Sequence, residues 1–374
     1  MSVPCTDDYL QAGGPDREWM DQFRRNAARL RIPVSGMMEL TRRCNLECVH
    51  CYQKGLRDCE LPADLAVTTI GELAEAGTLF LTLTGGEPLM HPDFGAIYLA
   101  ARKRGLIVSV FTNGTLVSTE HLRLWRRFPP RLVEISLYGA VAETHDAVTG
   151  QEGSFDRALA AVRRLLDCGV SIGLKTVILR RNLAEVPAIG RMAAALGVPF
   201  RVDPLVFAHH QWSRGDVSRL RAAARDAVGI ELADQDRRRQ WRVHAAQAAK
   251  TDQRRLYRCG AGITGFFIDA RGWLAPCALA VHRAVPLRET GFAEAWCQLQ
   301  GLQEIPSPAS YPCNDCPWKP WCSGCPALSW CELGDETRPV PYACEIARAR
   351  AELLEDRESC MMESAPGLRE VQVK

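Results

Sequence analysis

The distribution of 16 cysteines constrains this 374-residue chain more than any other feature. Three fall together, Cys44, Cys48 and Cys51, and seven form a late array of Cys259, Cys277, Cys313, Cys316, Cys322, Cys325 and Cys344. The remaining six, Cys5, Cys59, Cys168, Cys297, Cys331 and Cys360, are scattered. Small secreted scaffolds use disulfides because they lack a core. This chain is long, and its N-terminus carries Asp7, Asp8, Asp16 and Glu18 in place of an apolar signal segment. Clustered thiols in such a chain read as metal ligands in a reducing, cytoplasmic compartment. The charge is nearly balanced, 46 Lys and Arg against 44 Asp and Glu, so no polybasic arm for nucleic acid is expected. No apolar run is long enough for a membrane span.

Short apolar runs alternate with helical patterns from Gly36 to about Phe207. Strands are predicted at Met37–Leu40, Leu79–Thr84, Ile107–Phe111, Leu132–Leu137, Ser171–Leu179 and Phe200–Phe207. The first four are almost continuously apolar, as strands covered on both faces should be. Helices are predicted at Leu65–Ala76, Phe94–Arg104, Phe155–Cys168 and Ala184–Leu196, with Gly77, Gly105, Gly169 and Gly197 as their C-terminal stops. Six βα units imply a parallel barrel or partial barrel with its active site at the C-terminal strand ends. Residues 216 to 256 are Arg- and Ala-rich and predicted helical, with Arg237, Arg238, Arg239 and Arg242 on a solvated face. From Cys259 to Cys344 the helical periodicity fades and Pro306, Pro308, Pro312, Pro317, Pro320 and Pro326 exclude a long helix. Such a segment needs metal cross-links to hold a shape. A closing helix is predicted at about Glu345 to Arg357.

Cys44, Cys48 and Cys51 follow directly on the first strand. Three thiolates at this spacing can hold three irons of a [4Fe–4S] cluster and leave the fourth open for chemistry. Zinc is the competing reading, with His50 as a fourth ligand, although its place beside Cys51 suits that role poorly. Gly85-Gly86-Glu87-Pro88 closes the second strand, Thr112-Asn113-Gly114 the third and Ser136-Leu137-Tyr138-Gly139 the fourth. The glycines would let a ligand approach the backbone, and Glu87 offers an acceptor for an ammonium group.

Met38 through Tyr52, with Gly85–Pro88 and Ser136–Gly139, resembles the radical S-adenosylmethionine superfamily over about residues 33 to 207. The resemblance implies a partial (β/α)6 TIM barrel. It also implies a [4Fe–4S] cluster on Cys44, Cys48 and Cys51 whose open iron chelates S-adenosylmethionine. The reduced cluster would cleave that cofactor to a 5′-deoxyadenosyl radical, which abstracts a substrate hydrogen. On this model Gly85, Gly86 and Glu87 lie along the methionine amine, Asn113 belongs to the same rim, and Ser136 touches the ribose or carboxylate. Lys175 would reach the carboxylate, or is a surface strand residue.

The late array, read from spacing alone, fits two iron–sulfur sites or two zinc ribbons. It resembles the SPASM domain, which carries two auxiliary [4Fe–4S] clusters. The departure is Cys322-Ser-Gly-Cys325, one residue shorter than the family spacing. By resemblance Cys313, Cys316, Cys322 and Cys344 hold the distal cluster, and Cys259, Cys277 and Cys325 the one nearer the barrel. Its fourth ligand is Cys331, Cys297 or none, an open iron then facing substrate. The expected fold is therefore α/β, a partial (β/α)6 barrel followed by a cysteine-rich, iron–sulfur-stabilised SPASM domain. The expected boundaries are 1–32 for an N-terminal extension, 33–230 for the barrel, 231–258 for a helical bridge, 259–345 for SPASM and 346–374 for a closing helix and tail.

The resemblance implies an oxidoreductase that matures a ribosomally made peptide by crosslinking, epimerisation or oxidation. The alternatives are a sulfatase-maturing enzyme, a sugar dehydrogenase, or a zinc- or iron–sulfur-stabilised binding or sensor protein. Only 43 residues precede Cys44, too few for a fused leader-binding domain, so for a peptide substrate a separate leader-recognition protein, or direct docking on the barrel, is expected. A flavodoxin or ferredoxin would supply low-potential electrons. His209, His210 and Asp203 are candidate bases, and a spare cysteine is a candidate hydrogen donor.

Overall fold

The computed structural model describes residues 16–53, 59–208, 214–248 and 254–363. Its frame is a run of six parallel strands: β1 (Ser35–Glu39), β2 (Phe80–Thr84), β3 (Ile107–Thr112), β4 (Leu132–Ser136), β5 (Ile172–Val177) and β6 (Phe200–Asp203). They lie side by side in chain order, and β1 does not close on β6. The result is the partial (β/α)6 barrel expected.

The pleat sorts the strand residues. Met38, Leu81, Leu83, Val108, Val110, Val133, Ile135, Ile172 and Leu174 pack outward into one core shared with the helices. Glu39, Phe111, Glu134, Ser136, Lys175, Arg201 and Asp203 occupy the opposite, inner face. The crossover helices are α2 (Ala63–Glu75), α3 (Phe94–Lys103), α4 (Thr119–Arg127), α5 (Ala142–Thr149), α6 (Ser154–Asp167) and α7 (Val186–Ala195), preceded by α1 (Asp16–Leu30). Gly77, Gly105, Gly169 and Gly197 stand at φ 89°, 83°, 70° and 68°, the left-handed conformation that stops α2, α3, α6 and α7.

Among α1 to α7, three helices escape the sequence reading: α1, α4 and α5. In α4 the apolar pattern is short, and the Ser118–His121 capping box starts it. The sixth strand ends at Asp203, not Phe207, because Pro204 lacks the N–H that a further ladder bond requires. The Arg- and Ala-rich stretch is three helices, α8 (Arg214–Leu220), α9 (Ala224–Glu231) and α10 (Gln235–Ala248).

Past Cys259 the chain adds more regular structure than its Pro content suggests. Strand β7 (Gly265–Ile268) pairs in parallel with β1 and extends the barrel sheet, followed by β8 (Trp273–Ala275) and β9 (Val285–Pro286) in antiparallel order. Gly36 makes room for this join, since a Cβ there would overlap the Phe266 ring. Helix α11 (Leu287–Leu299), kinked at Gly291, covers this edge with Phe292 and Trp296 against Phe266. The segment then runs through short turns to α12 (Pro326–Leu333) and α13 (Pro341–Glu363). Arg350 of α13 is buried against Glu231 of α9 at 2.8 Å and caps the Trp241 ring, which ties the closing helix to the barrel side. Among the described residues, no helix is long and apolar enough to cross a membrane.

Candidate functional site

The cysteine loop leaves β1 at the C-terminal end of the barrel. It is pinned by Glu47 N–H donating to Thr149 O at 2.8 Å and Val49 N–H to Val148 O at 2.9 Å, with Leu46 buried beneath. Cys44, Cys48 and Cys51 all lie within electrostatic reach of the inward-facing Tyr138 hydroxyl, whose pKa burial and these thiols raise. The Ser136 hydroxyl hydrogen-bonds the same tyrosine. Asn113 Nδ2 stands 3.9 Å from Cys44 Sγ and donates to Asn45 Oδ1 at 3.0 Å. The structure thus gathers Asn113, Ser136 and the three thiols at one end of the barrel.

Gly85 and Gly86 have a close neighbour within the chain. A Cβ on Gly85 would sit 2.5 Å from Thr41 O, and one on Gly86 2.5 Å from Arg43 O. These glycines admit the backbone leading into Cys44. Gly86 N–H donates to Thr41 O at 2.7 Å and Glu87 N–H to Arg43 O at 2.8 Å, fixing the start of the cysteine loop. Glu87 is fully buried and accepts from Thr112 Oγ1 at 2.7 Å, Asn113 N at 2.7 Å and Leu89 N at 3.1 Å. Burial pushes its pKa up to about 7 against those donors. In this arrangement Glu87 holds the β3 rim in place, with each oxygen already engaged.

Lys175 faces inward, not outward. Its Nζ is 3.1 Å from Asp203 Oδ2 and 5.9 Å from the Phe111 ring centre. Arg201 is the partner that sequence reading did not single out: it pairs with buried Glu134 at 2.7 Å and reaches Asp203 at 3.3 Å. Burial opposes ionisation of Asp203, but Lys175 and Arg201 outweigh it and hold its pKa at about 2. Asp203 is therefore too acidic for the base suggested above, and His209 and His210 lie outside the described residues. His50 turns its ring edge-on to Tyr138 at 4.6 Å, with Nδ1 buried and unpartnered. Burial and Lys175 lower its pKa to about 4, leaving a neutral imidazole in the barrel mouth. The signal for this inner charge cluster was present as Lys175, Arg201 and Asp203 at alternate strand positions, but the register that meets Glu134 was not.

The late cysteines separate into two groups. The Cys344 thiol feels Cys313 and Cys316, and the Cys322 thiol feels Cys313 and Cys344. Burial first, then these neighbours, raise both pKa values, that of Cys322 to about 11. The Tyr311 hydroxyl hydrogen-bonds Cys313, and Gly324 N–H donates to Cys322 Sγ at 3.1 Å. Separately, the Cys325 thiol feels Cys277 and Cys259. Cys325 caps the N-terminus of α12, where Leu328 N–H donates to its Sγ at 3.4 Å; burial, then Cys277 and Cys259, nevertheless push its thiol pKa well above the ordinary value. Cys331 Sγ instead donates to Leu279 O at 3.5 Å, and Cys297 is exposed on α11. Among the described residues, no three His, Cys, Asp or Glu side chains close on one point as ligands of a single ion. A cubane spreads its thiolates over different irons, and buried thiols with N–H and O–H donors at sulfur suit such a group.

Comparison with known proteins identifies the family. Residues 38–193 match the radical SAM superfamily model. The chain is 31% identical over 343 residues to the AdoMet-dependent heme synthase of Methanosarcina barkeri, covering 81% of this chain and 94% of that protein. It is 30% identical over 332 residues to the mycofactocin maturase MftC of Mycobacterium tuberculosis, covering 82% and 80%. Streptococcus suis SuiB bound to its precursor peptide SuiA shares the fold, with a TM-score of 0.67 at 16% identity over 89% of this chain and 82% of that one. The chain belongs to the radical S-adenosylmethionine superfamily, with a SPASM-type cysteine-rich C-terminal region, and its cofactors are S-adenosylmethionine and the [4Fe–4S] cluster that binds it.

Proposed function

We propose that this radical SAM enzyme modifies a ribosomally made peptide, by a crosslink, an epimerisation or an oxidation. The observation that carries the reading is the similarity to mycofactocin maturase, which runs through the barrel and on into the cysteine array. The catalytic cluster would be held by Cys44, Cys48 and Cys51. Gly85 and Gly86 shape its loop, Glu87 and Asn113 brace its rim, and Ser136 and Lys175 stand on the inner face for S-adenosylmethionine. Cys313, Cys316, Cys322 and Cys344 would hold one auxiliary cluster, and Cys259, Cys277 and Cys325 the other, within the segment 259–345. When bound, these groups supply a carbon-centred radical and a route for its second electron. A separate leader-recognition protein and a flavodoxin or ferredoxin complete the system, in a reducing cytoplasm.

A second reading is favoured by the heme synthase, which aligns over 94% of its own length. On that reading the substrate is a tetrapyrrole. Anaerobic turnover with reductant and S-adenosylmethionine separates the two. A mass change in a short peptide encoded beside this gene supports the first. A change only in iron coproporphyrin, with none in the peptide, overturns it.

A further inference from the structure

Hydrogen bonds to sulfur raise the reduction potential of an iron–sulfur cluster, because a donor offsets the negative charge that reduction adds. At the Cys44 end of the cysteine loop the donors are N–H groups. Leu46 N–H donates to Cys44 Sγ at 3.4 Å, and Asn113 Nδ2 stands 3.9 Å from the same sulfur. The other end is a tight turn, closed by Cys51 N–H donating to Cys48 O at 3.1 Å, and it faces a phenol. Tyr138 lies two residues past β4 and packs with Val49 on one apolar cluster of Val148, Leu179 and Val206. The His50 ring meets the Tyr138 ring edge-on, at 4.6 Å and 70°. Val49 and His50 are the residues between Cys48 and Cys51, so the Tyr138 ring lies against that turn.

The Tyr138 hydroxyl feels all three thiols, Cys48 most, and is hydrogen-bonded to Ser136. A phenol has one proton to donate and lone pairs with which to accept. Ser136 can fill the second role, which leaves the proton for sulfur. The mount is rigid. Tyr138 N–H donates to His145 Nδ1 at 3.1 Å, and a Cβ on Gly139 would sit 2.6 Å from His145 N. His145 belongs to α5, whose last residues, Val148 and Thr149, accept the N–H groups of Val49 and Glu47 in the cysteine loop. One helix thus fixes both the phenol and the loop, as a defined donor geometry requires. We propose that the Tyr138 hydroxyl donates a hydrogen bond to sulfur on the Cys48 side of the catalytic cluster and raises its reduction potential. The inference rests on the assignment of that cluster to Cys44, Cys48 and Cys51.

The test uses the full chain, reconstituted anaerobically to about 12 irons and reduced stepwise while electron paramagnetic resonance is recorded. The signal missing from Cys48→Ala marks the catalytic cluster. In Tyr138→Phe that signal should appear at lower potential, by about tenfold in the reduced-to-oxidised ratio or about 59 mV for one electron, with iron unchanged. One exchangeable proton coupling of the same signal, removed by heavy water, should be missing from the variant. Tyr98→Phe is the control: it removes a phenol of α3 that donates to Phe128 O at 2.7 Å, and it should change neither reading. An unshifted potential, a full set of proton couplings in Tyr138→Phe, or an equal shift in the control overturns the proposal. So does a loss of about four irons in Tyr138→Phe, since the phenol would then hold the loop and not tune the cluster. A Cys48→Ala variant that keeps every signal would instead overturn the three-thiol assignment beneath it.

Discussion

Arg42, two residues before the first cysteine, forms a 3.2 Å ion pair with Asp269, which lies just past β7 and 227 residues later in the chain. Arg42 also holds Glu39 at 3.1 Å, and Glu39 accepts from Ala270 N–H at 2.9 Å. The cysteine loop and the C-terminal hairpin therefore share one buried charge cluster. Removing one member strands the others. Asp269→Ala should cost about 3 kcal/mol in anaerobic denaturant unfolding, the penalty typical of an uncompensated buried charge. A loss below about 1 kcal/mol, the range of an exposed pair, would show that the cluster does not join the two parts.

Gly86 allows a closer test of the loop. With Arg43 O only 2.5 Å from an added Cβ, Gly86→Ala must push back the backbone that leads into Cys44. Iron content should fall by about four per chain, one cluster, while the auxiliary clusters remain. Gly169→Ala is the control: nothing lies within 4 Å, so only its left-handed backbone is strained, at about 1 kcal/mol with iron unchanged. Equal iron in both variants would contradict the packing role of Gly86.

These two glycines show where sequence reading succeeds and stops. The Gly85–Gly86 pair marked the right place, the end of β2, because glycine there signals close approach. The approach of Thr41 and Arg43 of the same chain is a tertiary fact that no local pattern carries. The first four barrel strands were legible because burial on both faces makes them almost continuously apolar. Strand β7 and helix α11 were not, because Cys, Gly and Pro obscure their periodicity and their partners, β1 and α2, lie far away in sequence. Lys175 could be read as surface or interior. The β5–β6 register, Lys175 beside Arg201, places it inside.

The inner charge cluster should behave as a unit. Arg201 is buried between Glu134 at 2.7 Å and Asp203 at 3.3 Å. Arg201→Met removes the guanidinium that holds both carboxylate oxygens of buried Glu134 and should cost about 3 to 5 kcal/mol. The double variant Arg201→Met with Glu134→Leu should recover much of that loss, because both buried charges are then gone. Additive losses, read from denaturation midpoints, would argue against a coupled pair.

Glu87 gives a pH signature. Burial raises its pKa from 4.5 to about 7, so the folded protein holds this proton where the unfolded chain has released it. The native state then binds more protons across that window, and stability falls as pH rises from about 4.5 through about 7. Glu87→Gln should flatten that part of the profile, measured on reconstituted protein without S-adenosylmethionine. An unchanged slope would place the titration elsewhere.

The central claim is tested most directly by the cleavage of S-adenosylmethionine. Wild-type protein reconstituted to about 12 irons, reduced with dithionite, should convert S-adenosylmethionine to 5′-deoxyadenosine. Cys48→Ala, keeping about eight irons in its auxiliary clusters, should yield none. Fully loaded wild-type protein that forms no 5′-deoxyadenosine, or a Cys48→Ala variant that forms as much as wild type, would contradict the account.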